Sequence, residues 1–247
     1  MARIDDLWFS FDGVRSEAMG LRVTALPGIP VAEARGRAVE IPGRDGALWL
    51  PDGAFAPVSL RVDFELRRSA DPDAVAAWLT GEGRLVLSAC EGHYWRAGVR
   101  KGFELARGHW ATGGWRASVT FDCQPFRYEV GDPEMAPIET PCTFEGRGTW
   151  TARPMITVYG EGSAVLMVNG ASVLLEDIGG SLTLDCEAMM AFRDGENASP
   201  AVTLLSDDGW PLLSPGVNAV NWSVEPSATG GEGRVDRVVI RPNWRWR

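Results

Sequence analysis

The 247-residue chain has room for one large β domain or two ordinary ones, and its 45% hydrophobic and 23% charged residues suit a globular protein with an ordinary core. A formal net charge of -9 and an isoelectric point near 4.8 exclude binding to nucleic acid or anionic lipid driven by overall charge. The four cysteines, Cys90, Cys123, Cys142 and Cys186, are scattered without a Cys-x-x-Cys pair, which argues against a metal or redox site.

The opening MARIDDLWFSFDG carries acids early and no apolar run of signal-peptide length. No stretch approaches the ~20 apolar residues of a membrane span, so a soluble protein made in a cytosol is expected. Residues 7–11 and 21–26 are short strand candidates.

Residues 37–66, RAVEIPGRDGALWLPDGAFAPVSLRVDFEL, hold the clearest pattern. Val58, Leu60, Val62, Phe64 and Leu66 alternate with Ser59, Arg61, Asp63 and Glu65, which predicts a strand with one buried and one wet face. Ahead of it, Pro42, Gly43 and the Asp45-Gly46 pair separate the apolar runs 38–41 and 47–50. That spacing predicts a hairpin with a tight turn at Asp45-Gly46, and Pro51-Asp52-Gly53 predicts a second turn soon after. Residues 41–57 therefore read as an arm that leaves the sheet and returns. The apolar side chains on it need a cover, expected from a neighbouring copy of the chain. The candidate subunit-contact residues are Arg44, Asp45, Leu48, Trp49, Leu50 and Phe55.

A helix is predicted over 71–81, with Asp71 as N-cap, Pro72 in the first turn, an apolar stripe of Val75, Trp78 and Leu79, and Gly81 to stop it. Strands follow at 85–90, 94–99, 103–106 and 115–123, the last alternating until Gln124-Pro125-Phe126 interrupts it. Three prolines and three acids in residues 131–141 read as a linker between a domain at 1–130 and another at 142–247. The second half holds short strand runs at 155–159, 164–168, 171–175, 182–185, 188–192, 217–222 and 235–240, with a hairpin marker at Asn169-Gly170. No helix interrupts them, as in a β-sandwich.

Nothing in the chain assembles into catalytic chemistry. His93 and His109 are the available imidazoles, neither sits in a nucleophile motif, and each reads as a strand-end histidine. Asp5-Asp6 and Asp207-Asp208 are adjacent pairs, which a strand points to opposite faces. Four Gly-x-Gly segments read as turns, since none opens a helix after a strand. No catalytic, cofactor or metal residue is therefore expected, and no enzyme. The eleven tryptophans suit packing and subunit contact better than sugar stacking. The RPNWRWR end reads as a terminal strand with solvated or paired arginines rather than a nucleic-acid contact.

Several stretches together resemble the siphophage distal tail protein, or Dit, family. They are Phe9-Ser-Phe-Asp-Gly13, Gly20-Leu21, Ile41-Pro-Gly-Arg-Asp-Gly46 and Val119-Thr-Phe-Asp-Cys-Gln-Pro125 in the first half. In the second half they are Pro154-Met-Ile-Thr-Val-Tyr-Gly160, Val168-Asn-Gly170, Trp210-Pro-Leu-Leu-Ser-Pro-Gly-Val-Asn218 and Ile240-Arg-Pro-Asn-Trp-Arg245. The resemblance implies a mainly β protein of two β-sandwich domains, the first with one helix and a protruding hairpin arm, the second galectin-like. It further implies a hexameric ring at the virion tail tip, assembled in the host cytoplasm. Such a ring joins the tail-tube protein to tail-hub, tail-associated or receptor-binding proteins, while DNA passes through the lumen without specific binding. The alternative expectation is a carbohydrate-binding β-sandwich module.

Overall fold

The structure, a computed structural model, describes residues 7–107, 114–225 and 233–247. His109, Asp5 and Asp6 lie outside them. The chain is mainly β and divides into two compact units, Met1–Val130 together with Arg247, and Gly131–Trp246.

The first unit contains β1 (Phe9–Phe11), β2 (Val14–Arg15), β3 (Leu21–Ala25), β4 (Ala34–Glu40), β5 (Ala47–Phe55), β6 (Val58–Leu66), α1 (Pro72–Trp78), β7 (Gly81–Leu87), β8 (His93–Val99), β9 (Ala106–Arg107) and β10 (Trp115–Glu129). One curled antiparallel sheet runs β2-β1-β7-β8-β10-β6-β3, with β9 also against β10. The alternation in β6 sets its core: Leu60, Val62 and Phe64 are buried and stand opposite Phe121, Val119 and Ala117 of β10. Phe9, Phe11, Leu21, Val23, Leu85, Leu87 and Trp95 complete this cluster.

Helix α1 closes over the core. The Asp73 N–H donates to the Asp71 carboxylate at 3.0 Å, the N-cap bond that the sequence calls for. Val75 and Leu79 are buried. Trp78 stacks on Phe9 at 5.4 Å and donates its Nε1–H to the Phe11 carbonyl at 3.0 Å. The helix ends at Trp78 with Leu79 as its C-cap, short of the expected residue 81. Gly81, with φ at +74°, instead opens β7 and turns the chain back into the sheet.

Strand β10 runs through Gln124-Pro125-Phe126, where an interruption was expected. A bulge falls between Cys123 and Arg127. Cys123 pairs with Ala97 and Arg127 with Trp95, so the bulge shifts the register by an even number of residues and leaves the alternation of faces intact. Trp115 to Cys123 serve the main core, but Phe126 and Tyr128 instead join Tyr94 in a separate cluster.

The second unit contains β11 (Cys142–Gly146), β12 (Met155–Glu161), β13 (Ser163–Val168), β14 (Ala171–Leu175), β15 (Gly180–Asp185), β16 (Met190–Arg193), β17 (Glu196–Asn197), β18 (Val202–Leu204), β19 (Gly216–Glu225), β20 (Arg234–Arg241) and β21 (Arg245–Trp246). Two five-stranded sheets, β11-β19-β13-β14-β18 and β17-β16-β15-β12-β20, sandwich a core that includes Ile156, Val158, Leu166, Val173, Leu184, Val220, Val238 and Ile240. Asn169, at φ +52°, makes the two-residue turn between Val168 and Ala171.

Residues 131–141 do not behave as a free linker. The Met135 N–H donates to the Ile240 carbonyl at 2.8 Å, Ile138 and Val238 exchange bonds at 2.9 and 2.8 Å, and Ile138 is buried in the second core. A lone two-residue bridge leaves no period in a sequence, whereas the three prolines of this segment stand out in it.

Candidate functional site

The arm is a two-stranded sheet of its own, β4 with β5, hydrogen-bonded to no further strand among the described residues. It pairs Glu40 with Ala47, Val39 with Leu48, Ala38 with Trp49 and Arg37 with Leu50, and reaches back to Ala34 and Phe55. The arm therefore starts seven residues earlier than expected, because Ala34 to Ala38 alternates arginine only with alanine and glycine, residues of low strand preference.

Its turn also differs. Glu40–Ala47 is the closing pair, so the loop spans residues 41–46. Within it the Arg44 N–H donates to the Ile41 carbonyl at 3.1 Å across Pro42 and Gly43, with Gly43 at φ +80°. Proline followed by a left-handed glycine is the type II pattern, and it displaces the tight turn from Asp45-Gly46. Pro51-Asp52-Gly53 is not a second turn. It lies inside β5, where the register shifts between Ala34 and Gly36, the Ala54 N–H donates to the Asp52 carboxylate at 2.9 Å, and Gly53 sits at φ +77°.

Among the candidate contact residues, Leu48, Trp49 and Leu50 are 40%, 50% and 37% exposed, and Arg44 and Asp45 are exposed in the loop at the tip. Trp49 lies against Gly36, where a Cβ would stand 2.8 Å from the indole and 2.5 Å from the Leu50 carbonyl. Glycine there allows the indole to rest on the ribbon. Ile41, and Ile29 and Val31 before the arm, extend the exposed apolar surface. Phe55 departs from the expectation. It is half-buried, meets Phe126 edge-on at 5.5 Å and carries the Arg247 guanidinium over its ring at 4.5 Å. Its own unit covers it, so Phe55 anchors the base of the arm rather than standing uncovered on it.

The wet face of β6 holds a polar network. Ser118 Oγ and Arg61 Nε both donate to Asp63, the latter at 3.0 Å, and Arg61 also donates to Ser118 Oγ at 2.8 Å. The Ser118 hydrogen bond, followed by Arg61, holds the Asp63 carboxyl below the usual range against the opposing effect of burial. These groups border an open depression of about 530 Å³ and satisfy one another, as a solvated strand face does.

The arginines near the end of the sequence are paired: Arg241 with Glu134 at 2.8 Å, and the nearly buried Arg245 with Glu187 at 2.9 Å. Trp49 and Trp150 are the tryptophans more than a third exposed among the described residues, and they lie in different units. No group of three or more His, Cys, Asp or Glu that could hold a metal occurs among the described residues, and no described helix is long and apolar enough to cross a membrane.

No protein-family model and no curated protein matches the chain. Among solved structures, SPP1 Dit (gp 19.1), described as a paradigm of the hub adsorption apparatus in phages that infect Gram-positive bacteria, aligns over 95% of this chain and 96% of its own, at 15% identity and a TM-score of 0.68. The chain has the Dit fold. The alignment spans both units, so the Dit-like architecture expected from scattered motifs is met along the chain. The phage P2 baseplate in its activated conformation with Ca covers 95% of this chain and 96% of its own at 6% identity and a TM-score of 0.46, too loose a likeness to argue from.

Proposed function

We propose that the protein is a non-enzymatic hub of a phage or prophage-derived tail tip, forming a hexameric ring that joins the tail tube to baseplate or receptor-binding components. The observation that carries this reading is the arm. A lone two-stranded ribbon is marginal in water, yet this one presents Leu48, Trp49 and Leu50 to solvent. Successive residues of a strand face opposite ways, so the ribbon offers apolar side chains on both faces; exposed apolar surface of this kind marks an interaction site, and aromatic residues dominate the energetics of such contacts. An arm on one copy that meets a different surface on the next makes a head-to-tail contact, and such contacts close into rings. The Dit fold supports the same reading. The net charge of -9 suits a ring through which DNA passes without sticking.

Size-exclusion chromatography with light scattering, over a concentration series, tests this. A ring of six 26.8-kDa chains is expected at roughly 160 kDa. Trp49→Ser is expected to return it to single chains that remain folded by circular dichroism, since Trp49 is half exposed in the single chain. A wild-type chain that stays single at every concentration, with Trp49→Ser indistinguishable from it, would overturn the ring.

A further inference from the structure

Cys90 ends a short 3-10 turn, Ser88–Cys90, and His93 opens β8 three residues later. The Cys90 Sγ lies 3.5 Å from His93 Nδ1, and Arg127 Nη1 donates to the same sulfur at 3.3 Å. Strand register sets Glu129 opposite His93 and Arg127 opposite Trp95, with the guanidinium 5.9 Å from the centre of the Trp95 ring. Alternation puts Arg127 and Glu129 on the same face of β10 as Cys123, and the bulge brings them into register with Trp95 and His93. Cys90 and His93 are each partly exposed. Burial, and then the Arg127 charge, hold the His93 imidazole below its usual range, with Glu129 acting in the opposite sense. At neutral pH that imidazole is uncharged and accepts a proton, whereas the guanidinium keeps its charge. A base, a fixed cation and a thiol on a partly exposed residue are the parts that nucleophilic thiol chemistry needs.

We infer that Cys90 is a nucleophilic thiol, with His93 as its base and Arg127 stabilising negative charge on the sulfur, and that it takes low-molecular-weight disulfides as its substrate class. His93 Nδ1 accepts the thiol proton as Cys90 Sγ attacks one sulfur of the disulfide. The reagent's S–S bond breaks and a mixed disulfide forms on Cys90. The departing thiolate takes the proton back from the imidazolium. Cys90 is oxidised to the disulfide level, one reagent sulfur is reduced to a thiol, and His93 is regenerated. The other cysteines do not share this setting. Burial pushes the Cys123 and Cys186 thiols up to about 12, which leaves them protonated at neutral pH, and Cys142 is exposed on β11.

The test measures the release of thiopyridone from dithiodipyridine, a neutral aromatic disulfide, by the full chain carrying Cys142→Ser or Cys90→Ser, with circular dichroism to confirm folding. Cys90 is expected to react at least about tenfold faster than Cys142 although less exposed, and His93→Gln to slow it about tenfold, the low end of what a positioned base contributes. Arg127→Gln is expected to slow it more than Arg127→Lys. Cys90 reacting no faster than Cys142, or a folded His93→Gln chain reacting as fast or faster, would overturn the assignment. If His93→Gln does not fold, the pH profile of the Cys142→Ser chain decides. A rate that rises with imidazole deprotonation supports the pair, and one that rises only in the ordinary thiol range refutes it.

Discussion

Asp63 sits on the wet face of β6, where the Ser118 hydrogen bond, with help from Arg61, outweighs the opposing effect of burial on its ionisation. Ser118 and Arg61 stabilise the carboxylate, so its folded-state pKa lies below the unfolded value. The linked stability is present above the unfolded carboxylate range and is lost as the pH falls through the folded-state value. With the side chain 39% exposed, solvent screens most of that contribution. Ser118→Ala is expected to raise the Asp63 titration toward the ordinary carboxylate value, read by carboxyl-carbon NMR, with little effect on unfolding at neutral pH. An unchanged titration would show that Arg61 alone sets it. Neither this network nor the Cys90–His93 pair is a linear motif, although a cysteine and a histidine three apart at a strand end are a signal that could have been weighed. Arg127 could not be joined to them from sequence, because it arrives from another strand at a register that a bulge has shifted.

At the scale of elements, β6 and the start of α1 were legible because each obeys a local rule. Alternation needs only neighbouring residues, and the Asp71 cap needs only the next turn. The arm's turn was less legible, since Pro42-Gly43 and Asp45-Gly46 are both turn signatures within six residues. The choice between them rests on the Glu40–Ala47 pairing, a contact that neither signature encodes. The bulge in β10 was hidden behind Pro125 for a similar reason. The two clusters that β10 serves lie on its two alternating faces, so deleting Gln124 is expected to swing Phe126 and Tyr128 toward Trp95 and to move Arg127 and Glu129 to the other face. Misplacing two aromatic side chains, each worth about 1.5–3 kcal/mol on burial, is expected to lower stability by about 3 kcal/mol or more in chemical denaturation. A shortened strand with unaltered stability would mean that the bulge absorbs the deletion and the facing of these residues is kept.

For the whole molecule, two cores formed by separate stretches of chain make a thermodynamic statement. Leu60→Ala in the first and Leu166→Ala in the second, each at a site 1% exposed, are expected to cost about 2–5 kcal/mol apiece. Their effects in the double variant are expected to add within about 0.5 kcal/mol, as for substitutions that share no partner. Denaturant titrations of the four proteins measure this, and a larger departure would reveal cooperation between the cores.

Composition, alternation and capping determined by themselves that this is a mainly β chain with one short helix and an apolar hairpin, because these features depend on residues close together in sequence. The tertiary structure alone decided that Phe55 is an anchor while Leu48, Trp49 and Leu50 stay exposed. It also decided that residues 131–141 belong to the second sandwich and that a thiol, an imidazole and a guanidinium meet at one sulfur. Each of those outcomes depends on which distant segment packs alongside, and a side chain's burial or charge environment is a property of that neighbour as much as of the residue itself.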